Sequence, residues 1–293
     1  MRGSKKIVFA LAAAALCALA AGLSAMEWPL SGATVLRNFG YNDGGRPTLG
    51  VVLAGEGDAR AAGDGELFFQ ASGERDSIAG FTSPLGSWVA LDHGNGLVSA
   101  YARLGDAASG ARTLFRQGDR IAAPGASGWS AREGVFFMVF DRKERRWVNP
   151  AMIAEPFADA IAPQILSVQL RAADGELWPA LTGQTIPQGS YGILVRATDA
   201  LSGGAGALLA PHRIVASVNG VEAGRVSLET MGARDGSMLV DRGSADPAAA
   251  VYAFFPAFEA GSVLLNRGQA IIEVVVSDLA GNSSRALAQI IVE

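Results

Sequence analysis

The sequence predicts a mostly β protein built in two parts. Three observations carry that prediction. Glycine is abundant, with 37 Gly and 12 Pro in 293 residues. No long periodic run of Leu, Glu and Lys marks a helical bundle. The apolar residues fall instead in short alternating stretches between turn residues, the pattern of half-buried strands. With 49% hydrophobic and 18% charged residues the chain can bury a core and is no disordered acidic tail. The formal charge of −4, from 24 basic and 28 acidic residues, gives no electrostatic footprint for a phosphate backbone. The local basic cluster at 142–146 is too small to change that, so nucleic acid is excluded as a partner.

Residues 1–25 read as a signal peptide. Arg2, Lys5 and Lys6 form a basic start, Ile7 to Leu23 is apolar or small throughout, and Leu23-Ser24-Ala25 suits cleavage near Ala25. The expected mature chain keeps no stable membrane span and is periplasmic or secreted, in a bacterial envelope. Cys17 lies inside the apolar stretch behind Leu16, where lipoprotein processing wants a small residue. Without Cys17 the mature chain has no thiol, which excludes disulfides, thiolate zinc ligands and a Cys nucleophile.

The first folded part is read as 26–160. Its strands are Gly50 to Leu53, Gly65 to Phe69, Trp88 to Leu91 and Val135 to Phe140. Ala151 to Ala160 is expected to form a short helix that ends before Pro163. The second part, 161–293, is read as a β-sandwich of seven strands. They are Gln164 to Arg171, Tyr191 to Thr198, His212 to Val218, Arg225 to Glu229, Val251 to Phe255, Ala270 to Ser277 and Ala286 to Val292. The last two are joined by Asp278 to Asn282, whose Asp, Gly and Asn supply turn conformations. Asp278 with Asn282 could ligate calcium, but the pattern reads first as a metal-free turn. This half resembles bacterial immunoglobulin-like and fibronectin-like repeats.

Four segments of the first half carry a more specific likeness. They are Trp28-Pro29-Leu30-Ser31-Gly32 with Asn38-Phe39-Gly40; Glu56 to Gly65, ending Ala62-Gly63-Asp64-Gly65; Trp88 to Leu104, containing Asp92-His93-Gly94-Asn95-Gly96 and Tyr101-Ala102-Arg103-Leu104; and Gln117-Gly118-Asp119-Arg120-Ile121 followed by Gly125-Ala126-Ser127-Gly128, Val135 to Phe140 and Val148-Asn149-Pro150. In order and spacing they resemble the LytM/lysostaphin type of zinc metallopeptidase, a β fold known as a duplicated hybrid motif, whose members cut the peptide cross-links of bacterial cell walls.

The resemblance implies a zinc site, and the sequence departs from it at each position. The family's His-x-Gly-x-Asp ligand stretch falls on Thr48-Leu49-Gly50-Val51-Val52. Val has no donor atom and a neutral hydroxyl is a poor zinc ligand. The family's Tyr-Ala-His-Leu is Tyr101-Ala102-Arg103-Leu104, and Arg cannot serve as a general base. Its His-x-His strand falls on Gly134-Val135-Phe136, and no nearby register supplies His, Asp, Glu or Cys from Val135 to Phe140. Thr48, Val52, Arg103, Gly134 and Phe136 therefore mark a degenerate site, with no catalytic residue, no metal and no zinc expected. His93 reads as a turn residue and His212 as an ordinary surface or strand-edge residue. Arg103 and Arg132, flanked by Phe136, Phe137 or Trp129, are candidate ligand-binding groups for a carboxylate-bearing peptide.

Other chemistries fare worse. No Gly-x-Ser-x-Gly elbow occurs, Gly55-Glu56-Gly57 lacks the third glycine of a dinucleotide loop, and Glu133, Asp141 and Glu144 read as a solvated charged loop. The expectation is a pseudo-peptidase of the envelope that binds peptidoglycan stem peptides or regulates a cell-wall hydrolase. A metalloendopeptidase with an atypical metal site, and a structural or adhesive envelope protein, stand as alternatives.

Overall fold

The computed structural model describes residues 26–293 apart from 44–45, 73–82, 108–111, 131, 205 and 253–255. The leader read at 1–25, with Cys17, lies outside the described residues. The protein is mostly β. Among the described residues, helical structure is confined to a 3-10 turn at Pro150–Met152 and a single α turn at Ala248–Val251.

The first lobe is a twisted antiparallel sheet. Thr34–Arg37 pairs with Val51–Ala54, which pairs with Val135–Asp141. Leu97–Ala107 lies on the other side of that central strand, followed by Ser87–Asp92 and Gly65–Ala71. Alternation explains why these segments are strands: Val135, Phe137 and Val139 are fully buried while Phe136 and Phe140 face the opposite side. The inward set packs with Leu53, Leu91, Tyr101, Leu104 and Ile121 in one core.

The second lobe holds two facing sheets. One runs Leu177–Pro179, Gln164–Ala172, Gly189–Thr198, Ala257–Leu265. The other contains Ser237–Asp241, Val221–Arg234, Arg213–Val218, Gly268–Ser277 and Ser283–Val292 in that order. Ile193, Val195 and Phe258 from the first meet Ile214, Ile272 and Ile290 from the second in a shared core.

The lobes are joined by more than a linker. Arg146–Val148 pairs on one side with Val135–Asp141 and on the other with Val221–Arg234, so one hydrogen-bonded sheet continues through both. Phe39, from the first half of the chain, is buried in the second-lobe core, and Leu209 from the second half is buried in the first.

Three expectations change. Ala151 to Ala160 does not form a helix. Asn149 caps the 3-10 turn by accepting from Ala151 N–H at 3.1 Å, but Pro156 has no N–H to give and disfavours helical backbone at Glu155. Val251 to Phe255 is not a strand as far as it is described. Val251 closes the α turn, Tyr252 forms an isolated bridge to Phe258, and the neighbouring strand is Ala257–Leu265. His212 is not an open surface residue: its side chain is 14% exposed, and burial holds its pKa below the ordinary value.

Candidate functional site

The central strand brings most of the degenerate positions together. Phe136 is the register partner of Val52 on one side and of Ala102, next to Arg103, on the other. A Cβ placed on Gly134 would lie 4.0 Å from Val52 Cγ1, so Gly134, Val52 and Phe136 share one small area of the outer sheet face. That Cβ would also lie 2.7 Å from the backbone carbonyl of Leu53, which leaves no room for a side chain at 134. Gly50 is as confined, since a Cβ there would meet Phe137 O at 2.2 Å and Met138 Cγ at 2.7 Å. The glycines let Phe136 and Met138 close over the strand. Thr48 belongs to the approach loop, where its N–H donates to Tyr41 O and its carbonyl accepts from Gly40 N–H, both at 2.8 Å.

Arg103 sits at an irregularity in strand pairing between Val89 and Ser87, with φ 63° and its N–H donated to Leu85 O. The guanidinium stacks over the Phe136 ring, 5.1 Å from its centroid. Arg132 is exposed and held through its backbone, its carbonyl accepting from Ser130 Oγ at 2.7 Å. Phe137 does not flank these arginines, because it points into the core with no exposure. Trp129 is 67% exposed and anchored by its N–H to Pro84 O. Valine, glycine and phenylalanine offer zinc no donor, so the metal does not fit this area.

Below the degenerate positions the same face opens into an apolar groove of about 380 Å³. Leu49, Phe68, Trp88, Met138, Phe140 and Trp147 line it, none with a charge. A pairing irregularity between Leu67 and Phe69 leaves Phe68 58% exposed, with Arg142 over its ring, and Phe69 stacks on Trp88. The sequence reading missed this groove. The adjacent pair Phe68-Phe69 was its visible signal, since strict alternation cannot bury both.

His93 occupies the turn after Ser87–Asp92, and its ring ends a buried relay. Nδ1 lies 2.6 Å from Asp64 O, Nε2 lies 2.8 Å from Ser99 Oγ, and Ser99 Oγ is 3.0 Å from the Tyr101 hydroxyl. Tyr101 in turn accepts from Ala62 N–H at 2.7 Å, and burial pushes its pKa up to about 12. Ser99 Oγ donates to the Tyr101 hydroxyl, so the imidazole, the serine and the tyrosine form one continuous chain of hydrogen bonds. The relay joins two hairpins and faces the core rather than the groove.

Among the described residues, the group of acidic or imidazole side chains close enough to share a metal lies elsewhere, at Asp159, Asp199 and Asp278. No helix among them is long and apolar enough to cross a membrane.

A family model matches residues 162–293. No curated protein matches the chain. Solved structures similar to it include M23/LytM-type peptidases at low identity. A zinc containing peptidase from Vibrio cholerae is 19% identical over 45% of this chain and 41% of its own, with a TM-score of 0.37. The catalytic domain of the prophage-encoded M23 protein EnpA from Enterococcus faecalis is 20% identical, covering 41% and 90%, with a TM-score of 0.34. The SpoIIQ–SpoIIIAH pore forming complex gives 17% identity, 46% and 93% coverage and a TM-score of 0.36. The chain thus spans less than half the length of the Vibrio cholerae peptidase.

Proposed function

We propose that this is a non-catalytic, peptidase-like protein of the bacterial envelope that acts by binding a peptide along the outer face of its first lobe. The observation that carries the reading is the convergence of Val52, Gly134 and Phe136, with Arg103 over the Phe136 ring: three of the positions where the resemblance places a metal ligand or a catalytic histidine lie together and hold no metal donor. A hydrolase needs a polarised carbonyl and an activated water. Neither valine, phenylalanine nor a permanently charged guanidinium provides them.

The groove supports binding in their place. Its aromatic and aliphatic walls suit apolar side chains of an extended segment, while Arg103, half-buried and bonded through its N–H to the carbonyl of the groove residue Leu85, suits a carboxylate. Peptidoglycan stem peptides and a segment of a cell-wall hydrolase both offer that combination. The lack of charge along the groove floor favours a protein segment over a stem peptide.

Two measurements test the reading. Metal analysis of the purified protein, with a muropeptide digestion assay, should give no stoichiometric zinc and no released peptide; zinc together with cleavage overturns it in favour of a metalloendopeptidase. A pull-down from the native envelope should then lose its partner with Phe68→Asp and keep it with Leu264→Asp, an equally exposed residue on the second lobe (58% and 63%). Equal capture by both variants would place binding outside the groove.

A further inference from the structure

We propose that Asp159, Asp199 and Asp278 form a calcium site at the junction of the two lobes. The three come from separate parts of the chain. Asp159 lies on the segment leaving the first lobe, Asp199 follows the Gly189–Thr198 strand, and Asp278 follows the Gly268–Ser277 strand. One carboxylate oxygen of each lies within 4.8 Å of the other two. That is the spread of oxygens that each sit about 2.4 Å from a shared ion.

Two of the three carboxylates keep one oxygen bare, and the third is fixed in place by its turn. Oδ1 of Asp159 accepts from Ile161 N–H, Ser202 N–H and Ser202 Oγ at 2.9–3.0 Å, while its buried Oδ2 has no hydrogen-bond partner. Asp278 accepts from the backbone and side-chain nitrogens of Asn282 at 2.9 and 2.8 Å, which closes the turn and fixes the carboxylate. Asp199 is the strongest pointer. It is 7% exposed and its buried Oδ1 has no hydrogen-bond partner, although two other carboxylates face it. No Lys or Arg among the described ion pairs reaches any of the three.

Burying an unpaired carboxylate is costly, and a second and third beside it add repulsion. A bound divalent cation removes both penalties at once. The donors are all oxygen, which selects a hard ion over zinc, and a spread of up to 4.8 Å suits calcium's longer bonds better than the bonds of about 2.0–2.1 Å that magnesium makes. A cleft of about 320 Å³ beside the trio, with Asn38 and Asn149 on its walls, leaves space for the waters that would complete the coordination shell. Occupied, the site would tie the inter-lobe segment to two strand ends of the second lobe.

The test is a calorimetric titration of calcium chloride into the protein stripped with EDTA, paired with thermal melts. The expected result is about one ion per chain and a melting point that climbs steadily as calcium rises above its Kd. Asp199→Asn should weaken calcium binding at least about tenfold, while in EDTA it melts no lower than the wild type, because it removes a buried charge without changing shape. The less buried Asp159→Asn should weaken binding likewise and serves if the first variant does not fold. A flat titration at millimolar calcium overturns the proposal, as does a calcium affinity untouched by either substitution.

Discussion

The guanidinium of Arg103 lies 5.1 Å from the centroid of the Phe136 ring while its own backbone sits at φ 63°. A left-handed conformation costs a non-glycine residue about 1–2 kcal/mol, and a partly exposed cation–π contact returns about 0.5–1 kcal/mol. Arg103→Ala keeps the strain and loses the stack, so it should be destabilised by at least about 0.5 kcal/mol. Arg103→Gly loses both and should stay within about 1 kcal/mol of the wild type. Urea denaturation of the three proteins ranks them; an alanine variant as stable as the glycine variant would remove backbone strain from the account.

Gly134 makes a sharper claim about the degenerate site. Because a Cβ there would press to 2.7 Å on the Leu53 carbonyl, a backbone atom, Gly134→Ala should cost about 1–3 kcal/mol by overpacking. Restoring the motifs as Thr48→His and Val52→Asp with Gly134→His and Phe136→His should therefore fail to create a tight zinc site. The measurement is zinc retained after gel filtration; stoichiometric zinc in that quadruple variant would show that the strand can still open.

The strands legible in the sequence were those whose burial alternates cleanly. Ile272, Val274 and Val276 point inward while Ile271, Glu273 and Val275 do not, and period two alone finds them. Ala257–Leu265 was hidden because Glu259, Gly261 and Ser262 interrupt it, whereas the apolar run from Val251 looked more strand-like than the turn it begins. The candidate degenerate positions could be named from sequence because their motifs lie in short contiguous stretches. The acidic trio was not. Asp278 alone shows a turn, and only tertiary packing brings Asp159 and Asp199 to it. His212 was misjudged for the same reason, since its burial comes from the inter-lobe cleft and not from its neighbours in sequence.

The relay ending at His93 should be worth more at its buried end. Tyr101→Phe leaves the buried Ala62 N–H without an acceptor, a loss of about 1–3 kcal/mol. His93→Gln, at the partly exposed end, should cost less. Ser99→Ala combined with Tyr101→Phe should cost less than the sum of the two, because both break the same chain of hydrogen bonds. Chemical denaturation of the four variants decides it, and strict additivity would mean that the relay does not act as a unit.

An exposed pair sets a pH signature. Arg120 donates to both carboxylate oxygens of Asp58, at 2.6 and 3.1 Å, and these bonds hold the Asp58 pKa below its ordinary 3.8. A carboxyl with a depressed folded pKa adds stability above its unfolded value and loses it as pH falls through the folded one. The melting-point gap between wild type and Asp58→Asn should thus be full near neutral pH and close in acid below about pH 4. Salt should narrow it at neutral pH, since the pair is solvent-facing. A gap that persists unchanged into acid would assign the effect of Asp58 to something other than its charge.

Phe39 ties the two lobes into one folding unit. It is 1% exposed and belongs to the second-lobe core, although the chain around it enters the first-lobe sheet at Thr34–Arg37. Its neighbours reinforce the crossing: Asn38 exchanges two hydrogen bonds with the backbone of Ala210 at 2.7 and 2.9 Å, and the Tyr252 hydroxyl donates to Gly40 O at 2.9 Å. With the sheet also continuous through Arg146–Val148, neither lobe can lose its core without exposing part of the other. Calorimetry should accordingly show a single unfolding transition. Phe39→Ala, at a cost of about 3–5 kcal/mol, should lower the whole transition rather than split a second-lobe peak from it. Two separated peaks in the wild type would mean that the shared strand and Phe39 are too weak to couple the lobes.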